Sequence, residues 1–261
     1  GDVYKRQGPF NTGGAIKFEN CSSAKVTDST FTIAGGKGEF GIAGGAITSE
    51  GSNLKIEKSN FKAGKGTRVA EAGGLIQVLG KGSFTLSGST LEGSGAWFNG
   101  GKDGLYTANT GGAISFYNGC EMTAKITDTT IKNFMADGNG AGIALSKGNG
   151  HSSSVNLTLK NTTIENSAAY TYENSYAGGL YVGKGNTVKI EGGKISNPTA
   201  SFVVSGIYNM GDLEITGGAQ IIGNYAYKMV GGIYNGGKLK IDDATISVSY
   251  THLRAHETLR Y

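Results

Sequence analysis

The residues in this chain best suited to binding chemistry are aromatic, and they fall in two patterns. The first is a spacing. Tyr181, Tyr208 and Tyr234 each close a glycine-rich phrase, in GGLY (178–181), GIYN (206–209) and GGIYN (231–235). Side chains that recur at one position of a repeating strand share a face, so an outward ladder of these rings would form an aromatic strip. The second pattern is local density. Segment 92–110 carries Trp97, Phe98 and Tyr106, segment 165–176 carries Tyr170, Tyr172 and Tyr176, and segment 221–230 carries Tyr225 and Tyr227. Aromatic groups in polar loops suit stacking on sugar rings or contact with a partner protein. Two structural roles compete with binding: pinning loops to a scaffold, and stacking that only stabilises the scaffold.

Acid–base and metal chemistry has little to work with. Outside the two ends the chain holds one arginine, Arg68, and one histidine, His151, the latter in a turn-like GNGHSS stretch. Asp242–Asp243 is the only adjacent carboxylate pair, and DGNG (137–140) is too short and too poor in ligands for a calcium loop. No catalytic residue, metal site or cofactor is expected in this segment. Cys21 and Cys120 follow similar phrases, FENC and FYNGC, three coils apart in the repeat described next. At ~4.8 Å per coil that separation is ~14 Å, whereas a disulfide needs Cα atoms within about 7 Å. Two buried free thiols are therefore expected.

The elements that must position the aromatic groups follow from one phrase that recurs eight times: AKVTDSTF (24–31), LKIEKSNF (54–61), FTLSGSTL (84–91), AKITDTTI (124–131), LTLKNTTI (157–164), VKIEGGKI (188–195), LEITGGAQI (213–221) and LKIDDATI (239–246). Its first two apolar positions lie two residues apart, which is strand alternation. Stacking the copies gives inward rows that begin Ala24–Leu54–Phe84, Val26–Ile56–Leu86 and Phe31–Phe61–Leu91. A small residue, such as Ser29, Ser59, Ser89, Thr129 or Thr162, sits between the second and third rows. Lys25, Lys55, Lys125, Lys189 and Lys240 fall on an outward row. Another outward row, running from Thr30 to Thr245, is five-eighths Thr. Flat Thr arrays suit ice or crystal surfaces, but strand propensity accounts for these Thr equally well.

Most copies are preceded by a Gly pair: GGAI (13–16, 44–47 and 111–114), GGLI (73–76), GGLY and GGIY. Counted from the Gly pair, one row reads Ala15, Ala46, Leu75, Ala113, Ile143, Leu180, Ile207 and Ile233. The next reads Ile16, Ile47, Ile76, Ile114, Ala144, Tyr181, Tyr208 and Tyr234. Adjacent strand residues point to opposite sides, so one of these rows is expected outside.

A unit of about 30 residues cannot bury its apolar face alone, so the repeat predicts a stacked solenoid. The expected fold is all-β, a right-handed single-stranded parallel β-helix of about eight coils, roughly 35–40 Å long. Composition agrees. Gly is 46 of the 261 residues and Pro only 2, which excludes collagen and suits many tight corners. A net charge of +4 with scattered Lys points away from nucleic acid, and without an apolar run of about 18 residues no membrane insertion is expected.

The ends read differently. GDVYKRQ (1–7) and VSYTHLRAHETLRY (248–261) hold three of the four Arg and two of the three His. Both resemble translated sequencing-adaptor read-through. They are expected to be a non-native leader and tail around a β-helix fragment at 8–247, the alternative being a capping element for the solenoid.

With GGAI, GGIYN, GIYN and IGNYA (222–226), the body resembles the repeats of secreted bacterial β-helix proteins, the pectate-lyase-like surface proteins and autotransporter adhesins. The FxxN motif that accompanies GGAI in the chlamydial-type adhesins is absent. The resemblance implies an extracellular or cell-surface location and an adhesin-like or passenger role, with glycans or host or neighbour surface proteins as partners. The alternative that it leaves open is a non-catalytic stretch of a polysaccharide lyase or hydrolase.

Overall fold

The computed structural model describes residues 11–12, 14–33, 42–43, 45–64, 72–95, 108–147, 152–169, 176–197 and 203–247. Among them every regular element is a strand. Three parallel sheets of eight strands each run along the molecule, and the chain visits them in turn. Sheet I runs from Ile16–Glu19 to Ile233–Asn235, sheet II from Ala24–Thr27 to Lys238–Ile241, and sheet III from Thr30–Ile33 to Ala244–Ile246. The protein is a parallel β-solenoid, and this confirms the fold class that the repeat predicts.

Sheets II and III follow the repeat phrase residue for residue. Leu54, Phe84, Ala124, Leu157 and Val188 pair in register, and Phe61, Leu91, Ile131, Ile164 and Ile195 do the same one corner later. The alternation in Glu121–Thr127 is typical: Met122, Ala124 and Ile126 are buried and Glu121, Thr123 and Lys125 exposed. Burying each large inward side chain is worth about 1.5–3 kcal/mol, and one continuous core links all three sheets. Within it Phe31 stacks on Phe61 at 4.7 Å, and Phe84 meets Phe116 edge-on at 5.6 Å, joining sheet II to sheet I.

The corner between sheets II and III is two residues long in every coil. Its first residue is left-handed at Asp28, Lys58, Gly88, Asp128, Asn161, Gly192 and Gly217. The small residue that follows points inward. Ser59 Oγ donates to the Glu57 carbonyl at 2.9 Å and accepts the Ser29 N–H of the preceding coil at 3.2 Å, and Ser89 accepts the Ser59 N–H at 3.0 Å. This hydroxyl ladder satisfies corner N–H groups that the core would otherwise leave without a partner. Asn side chains do the same at the exit from sheet III. Asn197 Oδ1 accepts from Ser167 N–H and Asn224 Oδ1 from Asn197 N–H, each at 2.9 Å.

Sheet I departs from the register read off the glycine phrase. Its inward row is Ile16, Ile47, Ile76, Ile114, Ile143, Leu180, Ile207 and Ile233. The early coils place a residue between the Gly pair and this row (Ala15, Ala46, Leu75, Ala113), whereas the later coils enter directly from Gly142, Gly179, Gly206 and Gly232. Alignment on the Gly pair therefore slips by one residue between the two halves. The outward row that ends in the three tyrosines begins Lys17, Thr48, Gln77, Ser115 and Ala144, not with isoleucine.

Both cysteines are free. Cys120 is buried, and burial pushes its thiol up to about 12. Cys21 is only half-buried, a correction to the expectation of two buried thiols. It sits in the first sheet I–sheet II connection, where its Sγ donates to the Glu19 carbonyl at 3.6 Å.

Candidate binding face

The outward row of sheet I changes character along its length. Thr48, Gln77, Ser115 and Ala144 point outward yet are buried. The chain entering each coil passes over them: a Cβ on Gly73 would meet Gln77 Cα at 2.8 Å, and one on Gly111 would meet Ser115 Cβ at 2.7 Å. Both glycines are left-handed, with φ of 68° and 65°. Lack of a side chain and freedom at positive φ together let the entering chain lie this close. In the later coils the outward side chains are tyrosines, which extend past that cover and remain half-exposed.

These rings stack. Tyr181 and Tyr208 have centroids 5.4 Å apart with planes 5° from parallel, and Tyr208 and Tyr234 are 4.7 Å apart at 8°. Tyr176 joins them from the flank, 4.6 Å from Tyr208 and tilted by 39°. Placing it there is a run of parallel bridges, Tyr176 to Val204 to Val230, just ahead of sheet I. One residue of the tyrosine-rich segment 165–176 is thus part of the same surface as the ladder. Tyr181 and Tyr208 hold their protons more tightly than usual. Burial is the main cause at both Tyr181 and Tyr208, reinforced at Tyr181 by Tyr176 and at Tyr208 by Tyr234, Tyr176 and Tyr181.

Tyr227 and Met229 precede Val230 in the same coil and are the most exposed large apolar residues described, at 54% and 52%. Tyr225 is half-buried, its N–H donating to the Asn197 carbonyl at 3.1 Å. Trp97, Phe98, Tyr106, Tyr170 and Tyr172 lie outside the described residues, as do Arg68 and His151. Two methionines absent from the sequence expectation lie in the same coils as the tyrosines. Met210 follows Tyr208 and Asn209, and a Cβ on Gly236 would meet its Sδ at 2.6 Å and Tyr234 Cε1 at 3.6 Å. Met229 is the other. The signal for both is an unbranched apolar side chain set among polar turn residues.

Much of the charge on the remaining faces is paired. On sheet II Lys25 and Lys55 both reach Glu57, at 3.1 and 2.8 Å, Lys189 reaches Glu191 at 2.8 Å, and Lys240 reaches Glu214 at 2.8 Å. Exposed pairs of this kind are screened by solvent and add little to stability. A shallow depression of about 250 Å³ near Thr187 is walled by the Lys238–Asp212 and Lys240–Glu214 pairs. Asp242 and Asp243 form the last of the sheet II–sheet III corners, Asp243 left-handed, and both are exposed. Among the described residues no group of three His, Cys, Asp or Glu could hold a metal ion. The chain was also compared with known proteins. Neither the family models, nor the curated proteins, nor the solved structures contain a match. The reading of function therefore rests on the geometry of this surface and on the resemblance of the repeats.

Proposed function

We propose that this chain is part of a secreted or surface-displayed bacterial β-solenoid with an adhesin-like or passenger role, presenting an aromatic face to glycans or surface proteins. The observation that carries the reading is the stack of Tyr176, Tyr181, Tyr208 and Tyr234 on the outside of sheet I, with Tyr227 and Met229 exposed in the same coils. An exposed cluster of large aromatic and thioether groups on a rigid frame is characteristic of a recognition surface. The frame supplies the rigidity, since the strands of Tyr181 and Tyr208 are held in register by neighbours on both sides and that of Tyr234 by a neighbour on one. The resemblance of GGAI, GGIYN and IGNYA to the repeats of secreted β-helix proteins supports a location outside the cell.

The test is a glycan array and a surface-protein panel probed with the solenoid and with a Tyr208→Ser/Tyr234→Ser variant. Binding is expected for the parent and should be abolished in the variant, with circular dichroism unchanged. Equal binding by both would remove this face as the site, and no ligand in either panel would remove the recognition role.

A further inference from the structure

Stacking leaves Tyr208 with no free ring face. Tyr181 and Tyr176 lie on the side of the preceding coil and Tyr234 on the side of the following one, all within 5.4 Å. A sugar cannot lie flat on a ring that is already sandwiched, so the usual mode of aromatic–sugar contact is closed at the centre of the ladder. What three near-parallel rings have in common is their outer edge. Each tyrosine carries its hydroxyl at the para position, the end of the ring farthest from the backbone. Rings held 5° and 8° from parallel on strands in register therefore present their hydroxyls as a straight row along the solenoid axis. The period of that row is one coil, as the centroid separations of 5.4 and 4.7 Å show.

We propose that the Tyr181–Tyr208–Tyr234 row is a comb of hydroxyls that binds a linear, equatorially linked glycan laid along the solenoid axis, one sugar per coil. An extended chain of equatorially linked pyranoses advances by about one coil rise per sugar (~5 Å), so its hydroxyls and ring oxygens meet successive phenols in step. A glycan with axial links coils away from a straight row and meets one phenol at a time. Each phenol hydroxyl can both donate and accept a hydrogen bond. Towards the start of the chain the row gives way to Ala144, which has no polar group, so the comb is three teeth long. Tyr176 stands beside the row as a flank.

This proposal rests on the ladder being a glycan-binding face, and its test separates the two ideas. The probes are β-1,4-linked gluco-oligosaccharides from disaccharide to hexasaccharide, with α-1,4-linked malto-oligosaccharides as the comparison, titrated by calorimetry into the parent protein. Affinity is expected to rise up to the trisaccharide and then level off, with the α-linked series much weaker. Tyr181→Phe, Tyr208→Phe and Tyr234→Phe keep the stack and remove one hydroxyl each, and each is expected to weaken trisaccharide binding roughly five- to tenfold. A triple Phe variant that binds as tightly as the parent, or an affinity independent of length, would overturn the comb while leaving a glycan-binding face standing. If neither series binds, the comb is also wrong. Hits on the wider array would then show whether the face recognises some other ligand.

Discussion

Gly206 shows how little room one residue has in a stacked coil. A Cβ there would fall inside contact distance of the Gly232 carbonyl oxygen in the next coil and at 3.2 Å from the Asn224 side chain. Both belong to the hydrogen-bonded frame, so neither yields easily. Gly206→Ala is expected to lower stability by more than about 2 kcal/mol in denaturant titration. Ser59→Ala acts through polarity instead. It leaves the half-buried Ser29 N–H without its acceptor and should cost about 1 kcal/mol in the same measurement. At Cys120 burial holds the thiol up to about 12, so the native protein should leave one thiol unreactive towards a disulfide reagent at neutral pH until it is unfolded. The tyrosine ladder sets an alkaline limit. Burial raises Tyr181 and Tyr208 above the ordinary value of 10.0, so the folded state binds these protons more tightly than the unfolded chain. Their contribution is complete below pH 10 and disappears as pH rises through the folded-state values. Stability should therefore fall above about pH 10, and Tyr208→Phe should reduce that fall.

At the scale of the element, the two-residue corner between sheets II and III gives the sharpest prediction. Lys58 occupies it at φ 48°, where a β-branched side chain is strained and glycine is not. Lys58→Val should cost about 1–2 kcal/mol, and Lys58→Gly should be close to neutral. The same corner explains what the sequence makes legible. Because it is so short, the apolar positions on either side recur at the same spacing in every copy but LEITGGAQI (213–221), which is one residue longer, and the rows of Leu54 and Phe61 can be read directly. Sheet I is different, since the distance from the Gly pair to the strand shrinks by one residue between Ile114 and Ile143. Strand alternation has a period of two, so that single residue exchanges inside for outside. The outward placement of Tyr181, Tyr208 and Tyr234 is legible within their own coils. Their upstream neighbours Gln77 and Ser115, and their cover by the entering chain, are not. The contact of Tyr176 with Tyr208 is a matter of chain path, which no local periodicity encodes.

Over the whole molecule each coil touches only its neighbours, so stability accumulates coil by coil. In a solenoid of this kind a core substitution in the middle separates two halves, whereas the same change near an end frays one coil. Phe84→Ala is expected to lower stability by about 3–5 kcal/mol and to broaden the unfolding transition. Removing the partly exposed Ile246 near one end should cost much less. The Phe84–Phe116 contact concentrates this effect because it ties sheets I and II across the core.

The corner between sheets II and III is the same in all coils, while the segments from sheet III back to sheet I span 34–46, 64–75, 93–113, 133–142, 166–179, 197–206 and 222–232. Differences in length are thus largest at this edge, and they leave the register of the three sheets untouched. A peptide grafted at that edge in several successive coils would be repeated at the pitch of the rod. The scaffold, not a flexible linker, would then set the local concentration of the copies, and avidity could be adjusted by choosing which coils carry the graft.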